Sequence, residues 1–348
     1  MTDNNLKNIL VTGANGHIGA HVVRQLLEQG YKVRGFVRPG SDRRGLEGLD
    51  IELFDGDVMT REQLVAAAQD QHAIIHLAAV YKTIAKTAEE IVAPAIKGAE
   101  NVFAAAQAQG IKRIVYTSSI ASIGFSYHPN DLRSGRDWNN DASNPYYVAK
   151  TQSEKKAQQL AEETGIHLVV LCPAVVLGSL DYRITPSNQL IQDWLNGLGQ
   201  TYPGGLNLVD VRDVAAAHVA ALTKGENRHR YVVASDNLEV KAVGQMLREL
   251  TGIKPIHMPF ERGLLLWSAK WTERVCRLFN IKPPFTYDLV FEAAGRYGWF
   301  DPSETNQTFG LQPHSSREAV IESIRWLAAQ GKLKPKVAGK VKARLATA

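Results

Sequence analysis

Two side chains near the middle of the chain have the types and spacing of a proton-transfer site. Tyr146 and Lys150 lie four positions apart, which places both on one face of a helix. A free phenol has a pKa of about 10, and a neighbouring ammonium lowers that pKa because it stabilises the phenolate. Tyr146 could then donate a proton to a carbonyl that is reduced, or accept one from an alcohol that is oxidised. Tyr147 is followed four positions later by Thr151, so Tyr146 is the candidate.

Ser119 is the third candidate for this site. It follows residues 112–117, which predict a strand with Ser118 and Ser119 at its carboxyl end. Ligands of open parallel sheets bind at that edge. A hydroxyl there can polarise a carbonyl and hold the substrate at hydride distance, while Lys150 can bond a nicotinamide ribose and relay the proton. Taken alone, a Tyr-x-x-x-Lys pair is common by chance, and a pair on a helix surface is the alternative.

A glycine-rich stretch near the amino terminus predicts a phosphate-binding turn. Residues 6–11 are short and apolar, as in a buried strand, and a helical periodicity follows until Gly30. Gly13, Gly16 and Gly19 lie between them. Glycines there allow a tight turn, close approach of a pyrophosphate and close packing of the helix, and the helix N-terminus attracts phosphate. The alternative is an ordinary strand-turn-helix with three incidental glycines.

Strand and helix patterns alternate along the first half of the chain. The later strands are predicted at 31–37, 51–54, 73–77, 112–117 and 166–171. A long helix is predicted over 87–109, where Pro94 would kink or restart it. This alternation predicts an α/β Rossmann domain with a doubly wound parallel sheet.

The end of the second predicted strand indicates which dinucleotide binds. An acidic residue there would bond the 2′-hydroxyl of an adenosine ribose, but the strand is followed by Arg38. Arg38, with Arg43 or Arg44, suits a 2′-phosphate. Asp42 lies beyond the strand end, and a solvated basic loop is the alternative. We therefore predict NADP as the cofactor, in preference to NAD.

Two further positions are expected to meet the cofactor. Asp57 follows the third strand and could accept from the adenine amino group, although an N-cap for the helix starting near Thr60 is an equally good interpretation. Ala78 and Ala79 follow the fourth strand, and small residues there let the middle of the cofactor lie against the backbone.

Composition agrees with an ordinary globular protein. The 348 residues are 45% hydrophobic and 22% charged. Neither a signal pattern nor an apolar run long enough for a membrane span is evident, so a cytoplasmic location is expected. Cys172 and Cys276 provide no disulfide framework or metal-ligand cluster and are expected to be buried.

The net charge of +5 is uneven, because residues 332–344 contain six basic residues and no acid. We expect a solvated, frayed tail. Weak attachment to an anionic membrane surface is the alternative. The oligomeric state stays open, with a homodimer as one possibility.

Several stretches together resemble the extended short-chain dehydrogenase/reductases. They are Thr12–Gly19, His76–Ala79, Thr117–Ser119, Pro145–Lys150, Cys172–Gly178 and Leu208–Val214, in the order in which the family has them. The resemblance implies Ser119, Tyr146 and Lys150 as catalytic residues. The cofactor contacts that we expect are Gly13, Asn15, Gly16, His17, Ile18, Gly19, Arg38, Asp57, Val58, Ala78, Ala79, Thr117, Ser118, Tyr146, Lys150, Pro173 and Val176.

Within that superfamily, Arg38 and the run Asp137-Trp138-Asn139 resemble the dihydroflavonol-4-reductase-like branch. The resemblance implies an NADP-dependent reductase of a ketone or aldehyde on an apolar or aromatic molecule, or oxidation of the alcohol. A nucleotide-sugar epimerase or dehydratase and a 3β-hydroxysteroid-type dehydrogenase are the alternatives. Epimerases typically carry an acid at the second strand end, which is missing here. A non-catalytic NADP-sensing regulator is a further alternative, but such proteins often lose the tyrosine.

The resemblance also implies the domain organisation. We expect a dinucleotide-binding core over 1–178, to which parts of 205–235 return, a smaller α/β substrate lobe mainly over 179–330, and the basic tail over 331–348. Aromatic residues of the lobe could line an apolar pocket, although each taken singly is better explained as core. They are Tyr182, Trp194, Phe260, Trp267, Trp271, Phe285 and Tyr287.

Overall fold

A parallel sheet organises the first part of the computed structural model, which describes residues 7–78, 89–198, 200–279, 281, 283 and 286–345, apart from the Leu345 side chain. The described strands are β1 (Asn8–Thr12), β2 (Lys32–Val37), β3 (Glu52–Asp55), β4 (Ala73–His76), β5 (Arg113–Thr117), β6 (His167–Pro173), β7 (Val175–Leu177), β8 (Gln200–Thr201), β9 (Gly205–Asp210), β10 (His229–Val233), β11 (Asp236–Glu239) and β12 (Ile256–His257).

Helices connect these strands and build the second lobe. The described α-helices are α1 (His17–Glu28), α2 (Arg61–Ala67), α3 (Glu89–Ala108), α4 (Pro145–Thr164), α5 (Pro186–Leu195), α6 (Val211–Ala220), α7 (Val240–Thr251), α8 (Arg262–Leu278), α9 (Tyr287–Ala293), α10 (Ser303–Phe309), α11 (Ser316–Ala329) and α12 (Pro335–Leu345). None of the helices in these ranges combines the length and hydropathy needed to cross a membrane.

The seven-stranded sheet has the order β10-β6-β5-β4-β1-β2-β3, and every pairing in it is parallel. The prediction of a doubly wound parallel sheet is therefore confirmed. Strand order reverses between β1 and β4, and ligands of such sheets bind in the crevice at that switch point. The elements that carry the glycine-rich turn and Thr117 thus end at one edge.

Both faces of the sheet are covered, which explains the apolar runs in its strands. Ile9, Leu10 and Val11 of β1 are all fully buried, as strands between two helical layers must be. The helix α3 packs against α4, and α1 packs against α6. Pro94 lies inside α3, and the part of the predicted helix before residue 89 is outside the described residues.

The second lobe contains a small sheet that the sequence analysis did not predict. Its strand order is β11-β9-β7, with β9 parallel to β7 and antiparallel to β11. The helices α5, α7, α11 and α12 bury a separate apolar core against it. Its outer strands have three and four residues, too few to show a periodicity.

The expectation of a solvated, frayed tail is wrong. Residues Pro335–Leu345 form α12, and Val341 is 2% exposed within the core of the second lobe. Leu333, Val337 and Val341 recur every four residues, which aligns them on one side of the segment. The lysines dominate the composition, but this short apolar side decides the packing.

This packing predicts that Val341→Ala destabilises the protein by roughly 1–3 kcal/mol, because it removes buried methyl groups and leaves a cavity. Urea denaturation followed by circular dichroism measures the change. The exposed neighbour Lys340 supplies the control, since Lys340→Ala is expected to change stability by less than about 0.5 kcal/mol. Equal stability of the two variants would show that α12 does not pack as described.

Candidate active site

The start of α4 fixes the position of Tyr146. Pro145 occupies the first turn, and the Asn144 side chain caps the helix by accepting from the Tyr146 N–H at 2.9 Å, as proline and asparagine favour. From α9, the Glu292 carboxylate accepts from the backbone N–H groups of Ser143 at 2.9 Å and Asn144 at 3.2 Å. Tyr146 therefore lies in a helix turn that is held from both sides.

Lys150 lies one turn further along α4, next to the end of β5. Its ammonium donates to the Thr117 carbonyl at 3.3 Å. Desolvation lowers the pKa of Lys150 to about 8, although Cys172 and Glu154 act in the opposite direction. A buried ammonium with a pKa near neutrality can take part in proton transfer at physiological pH.

Tyr146 and Lys150 border one cleft at the carboxyl edge of the sheet, and Val58, Ala78 and Thr117 lie in the same wall. The structure therefore brings together five of the residues predicted from sequence. The lining residues are Val58, His76, Ala78, Ile91, Pro94, Ala95, Gly98, Tyr116, Thr117, Tyr146, Ala149, Lys150 and Ser153.

His76 is a cleft residue that the sequence analysis did not single out. Its Nδ1 lies 2.8 Å from the Thr12 hydroxyl. Burial, with a contribution from the charge of Lys150, lowers the pKa of His76 to about 3. The imidazole is therefore neutral at physiological pH. The sequence could have indicated this residue, because His76 ends β4 and begins the family-like stretch His76–Ala79.

Ser118 and Ser119 have different surroundings. Ser118 is buried, its hydroxyl donates to the Glu154 carboxylate, and its Oγ lies 3.1 Å from the Ser122 Oγ. Ser119 is half-buried and caps the short 3-10 helix Ile120–Ser122, where its Oγ accepts from the Ala121 N–H at 3.1 Å. Ser118 is thus held in a buried network. Ser119 is outside the described cleft lining, two residues beyond Thr117.

The glycine-rich turn between β1 and α1 fits a phosphate-bearing cofactor. Gly13 has a φ of +70°, and a Cβ added to it would lie 2.9 Å from the Ala78 nitrogen. A Cβ on Gly19 would lie 2.2 Å from the Gly13 carbonyl oxygen. Gly16 is the N-cap of α1, and in the described structure no side chain caps this end and no acid lies in its first turn. Its N–H groups can therefore receive an anion.

His17 and Ile18 are the first residues of α1, and their side chains make contacts within the protein. Ile18 packs against the main core. His17 is buried with its Nδ1 3.9 Å from a carboxylate oxygen of Asp181. Burial lowers the pKa of His17, although the charges of Asp181 and Asp210 oppose this. The backbone N–H groups of His17 and Ile18 are the parts that suit a cofactor.

The basic loop after β2 has an uneven distribution of charge. Arg43 is paired with Asp55, and Arg44 donates to both carboxylate oxygens of Asp42 at 3.1 Å. The bond with Arg44 lowers the pKa of Asp42 to about 2. Arg38 is exposed directly after the strand. Of the three arginines, only Arg38 has no acidic partner among the described residues.

Asn15 ties this loop to the glycine-rich turn. Its side-chain amide donates to the Ser41 hydroxyl at 2.9 Å and to the Asp42 carbonyl at 2.7 Å. The Ser41 hydroxyl in turn donates to the Arg38 carbonyl at 2.5 Å. Asn15 therefore fixes the backbone on both sides of the position where an adenosine ribose is expected.

The other predicted contacts lie at strand ends. The Asp57 carboxylate accepts from the Met59 N–H at 2.9 Å. Thr60, not Asp57, is the N-cap of α2, so the interpretation of Asp57 as that cap is wrong. Pro173 ends β6, and Val176, in β7, is 8% exposed. Ala79 and Phe285 lie outside the described residues.

The sequence analysis did not predict a buried ion pair next to the site. Arg230 of β10 is paired with Glu154 of α4, both nearly inaccessible. Its guanidinium also donates to the Ser122 hydroxyl at 3.1 Å and lies 3.7 Å from the centre of the Trp138 ring. The sequence indicates only that Glu154 lies four positions after Lys150, on the same helix face, and it does not mark Arg230 as its partner.

Comparison with known proteins identifies the family. The model of the NAD-dependent epimerase/dehydratase family matches residues 9–234. The chain belongs to this family. Nicotinamide dinucleotide use and action on small molecules are general properties of the family, and the chain is accordingly an NAD(P)-dependent oxidoreductase.

Similar proteins span nearly the whole chain. "Putative dihydroflavonol 4-reductase" of Synechocystis is 31% identical over 93% of this chain and 95% of its own. "Sterol demethylase protein B" of Methylococcus capsulatus is 30% identical over 92% of this chain and 98% of its own. The crystal structure of gox2253 superimposes with a TM-score of 0.82 at 28% identity, over 95% of this chain and 100% of that one. The resemblance to the reductase-like branch is therefore confirmed.

Proposed function

We propose that the protein is an NADPH-dependent reductase of a ketone or aldehyde carried by an apolar small molecule. The observation that supports this most directly is the shared cleft of Tyr146 and Lys150 at the end of β5. The cleft lies at the edge of the parallel sheet where the family's cofactors bind. In this proposal Tyr146 donates the proton and Lys150 restores it.

The proposed division of labour follows from the surroundings of each group. The nicotinamide, when bound, supplies the hydride. The Tyr146 hydroxyl protonates the developing alkoxide, and the charged form of Lys150 lowers the cost of the resulting phenolate. The Ser119 hydroxyl keeps its own proton available for the carbonyl oxygen, since its Oγ acts as an acceptor in the Ala121 contact. The rate of carbonyl reduction is therefore expected to fall as pH rises through the pKa of Lys150, because the ammonium loses its proton.

Two arginines support the preference for NADP. Arg38 is exposed at the end of β2, and its charge influences the pKa of Arg183 in the second lobe. The pKa of Arg183 is lowered because its guanidinium is partly desolvated and because Arg38 adds a like charge. The loop of Arg183 is held against the basic loop, since Tyr182 lies 4.5 Å from the Arg44 guanidinium. Two cations on neighbouring loops suit a phosphate.

Three further arginines of the second half argue against a nucleotide-sugar substrate. Arg228 pairs with Glu162 at 3.0 Å, and Arg230 is in the buried pair. Arg262 donates to the Phe291 and Ala294 carbonyls. These side chains are engaged and unsuited to a second diphosphate. The names of the two relatives refer to a dihydroflavonol and a sterol, which are an aromatic and a largely hydrocarbon ring system, and this supports an aromatic or apolar substrate.

The proposal predicts that Tyr146→Phe lowers kcat for NADPH-dependent reduction by roughly 10²–10⁴-fold, since it removes the proton donor. The measurement follows NADPH absorbance with aldehydes, ketones, dihydroflavonols and 3-ketosteroids. Tyr147→Phe is the matched control, because burial raises the pKa of Tyr147 and keeps it neutral. Tight NADPH binding by the wild type without turnover of any of these compounds would contradict the proposal and favour a sensor.

The cofactor assignment predicts that Arg38→Ala and Arg183→Ala each weaken NADPH binding roughly tenfold or more and leave NADH binding unchanged. Each variant loses a charge-assisted bond to the 2′-phosphate. Isothermal titration with both cofactors measures this effect. Arg325→Ala, on the outer side of α11, serves as the control. Equal losses for NADPH and NADH would contradict a role in selectivity.

A further inference from the structure

The helix α8 turns a row of large apolar side chains to solvent. Leu265 and Ala269 hold its inner side against the protein, with exposures of 7% and 0%. The residues of the row recur at spacings of three and four positions and therefore share one face. We call this row the outer face of α8; its members and exposures are Leu264 48%, Trp267 59%, Trp271 49%, Val275 46% and Leu278 78%.

This apolar surface continues on both sides of the helix. Ile256 and Phe260 precede α8 with exposures of 58% and 43%, and Phe279 and Ile281 follow it with 70% and 61%. Ten of the fifteen exposed large apolar side chains in the described residues lie between positions 256 and 289. Single exposed apolar residues are ordinary, but a concentrated group marks an interaction surface. These exposures contradict the alternative that Phe260, Trp267 and Trp271 belong to the core.

Within α8, the exposed charges beside the outer face are basic, whereas the exposed Glu261 precedes the helix. Lys270, Arg274 and Arg277 are exposed on the same solvent-facing half of α8, and the Arg274 guanidinium lies 5.9 Å from the Trp271 ring. The acid within the helix, Glu273, is turned to α9, where it accepts from the Tyr287 N–H at 3.0 Å. Tryptophan and leucine flanked by cations are typical of helices that lie in the headgroup region of a bilayer.

We propose that the outer face of α8 docks the protein on an anionic lipid surface. Anionic headgroups complement Lys270, Arg274 and Arg277, and the two tryptophans enter the boundary between headgroups and acyl chains. A second copy of the chain is less well matched. In a two-fold contact the same surface meets itself, so these cations would face those of the partner across an apolar, desolvated contact.

The docking surface is linked to the reaction site. Arg262, the first residue of α8, donates to the Phe291 carbonyl of α9 at 2.9 Å. From α9, Glu292 holds the Asn144 N–H, two residues before Tyr146. These contacts connect the docking surface to the helix turn that holds Tyr146. A role of docking in the reduction rests on the proposed function, whereas the docking itself does not.

Vesicle flotation tests the docking with the full chain. We expect the wild type to float with vesicles of phosphatidylcholine and phosphatidylglycerol, more weakly with phosphatidylcholine alone, and less as salt is raised. Trp267→Ser/Trp271→Ser is expected to weaken binding roughly tenfold or more, because it removes the inserting side chains. Bromine-labelled lipid should quench the fluorescence of the wild type and not that of this variant.

Matched variants make the result decisive. Leu132→Ser/Leu198→Ser removes two side chains that are 51% and 71% exposed outside α8 and should bind vesicles like the wild type. All variants should keep wild-type NADPH reduction of a water-soluble carbonyl, which separates this test from that of the proposed function. Absence of wild-type binding, or equal binding by both double variants, would overturn the proposal. So would a dimer in sedimentation velocity that only Trp267→Ser/Trp271→Ser disrupts while vesicle binding stays unchanged.

Discussion

The buried pair of Glu154 and Arg230 joins the parts of the protein that hold the reactive side chains. The carboxylate accepts from Ser118 at the end of β5, and the guanidinium donates to the Gly135 carbonyl at 3.0 Å and to the Ser122 hydroxyl. Two buried charges are tolerated only when each is paired and its remaining polar atoms are bonded. The pair therefore links three parts of the protein, which cannot shift independently. They are α4 with Tyr146, the end of β5 beside Ser119, and the residues between β5 and α4.

The carboxylate of the pair also contributes to the electrostatic surroundings of Lys150. Burial favours the neutral amine, and Cys172 and, to a smaller extent, the carboxylate of Glu154, one helical turn away, oppose that tendency. The result is an ammonium that is ionised at neutral pH and able to lose its proton slightly above it. A group in this range suits a relay, whereas an exposed lysine holds its proton far more tightly. The buried pair therefore both stabilises the structure around the site and influences the proton transfer by Lys150.

The sequence predicted what depends on local spacing. Tyr146 and Lys150 were found from an i, i+4 relation, and the strands of the main sheet from short apolar runs that alternate with helical patterns. The small sheet of β7, β9 and β11 and the packed side of α12 escaped because their apolar patterns cover only a few residues. The partners of Arg230 and Arg43 could not be predicted either, since Glu154 and Asp55 lie far from them in the chain and only the fold brings them together. For helix α8, too, local spacing was not enough. The spacing of its apolar residues indicates an apolar face, but it does not say whether another part of the protein covers that face.

The most direct test of this account is the pH profile of kcat for NADPH-dependent reduction in the wild type and in Glu154→Gln. The alkaline limb of the wild type should follow the pKa of Lys150, about 8. Loss of the carboxylate removes an influence that raises this pKa, so the limb should move to lower pH. Glu154→Gln/Arg230→Met, which leaves no unpaired buried charge, should show a shift in the same direction if the single variant is unstable. An unchanged profile, with only the melting temperature reduced, would show that the pair supports the fold and does not tune Lys150.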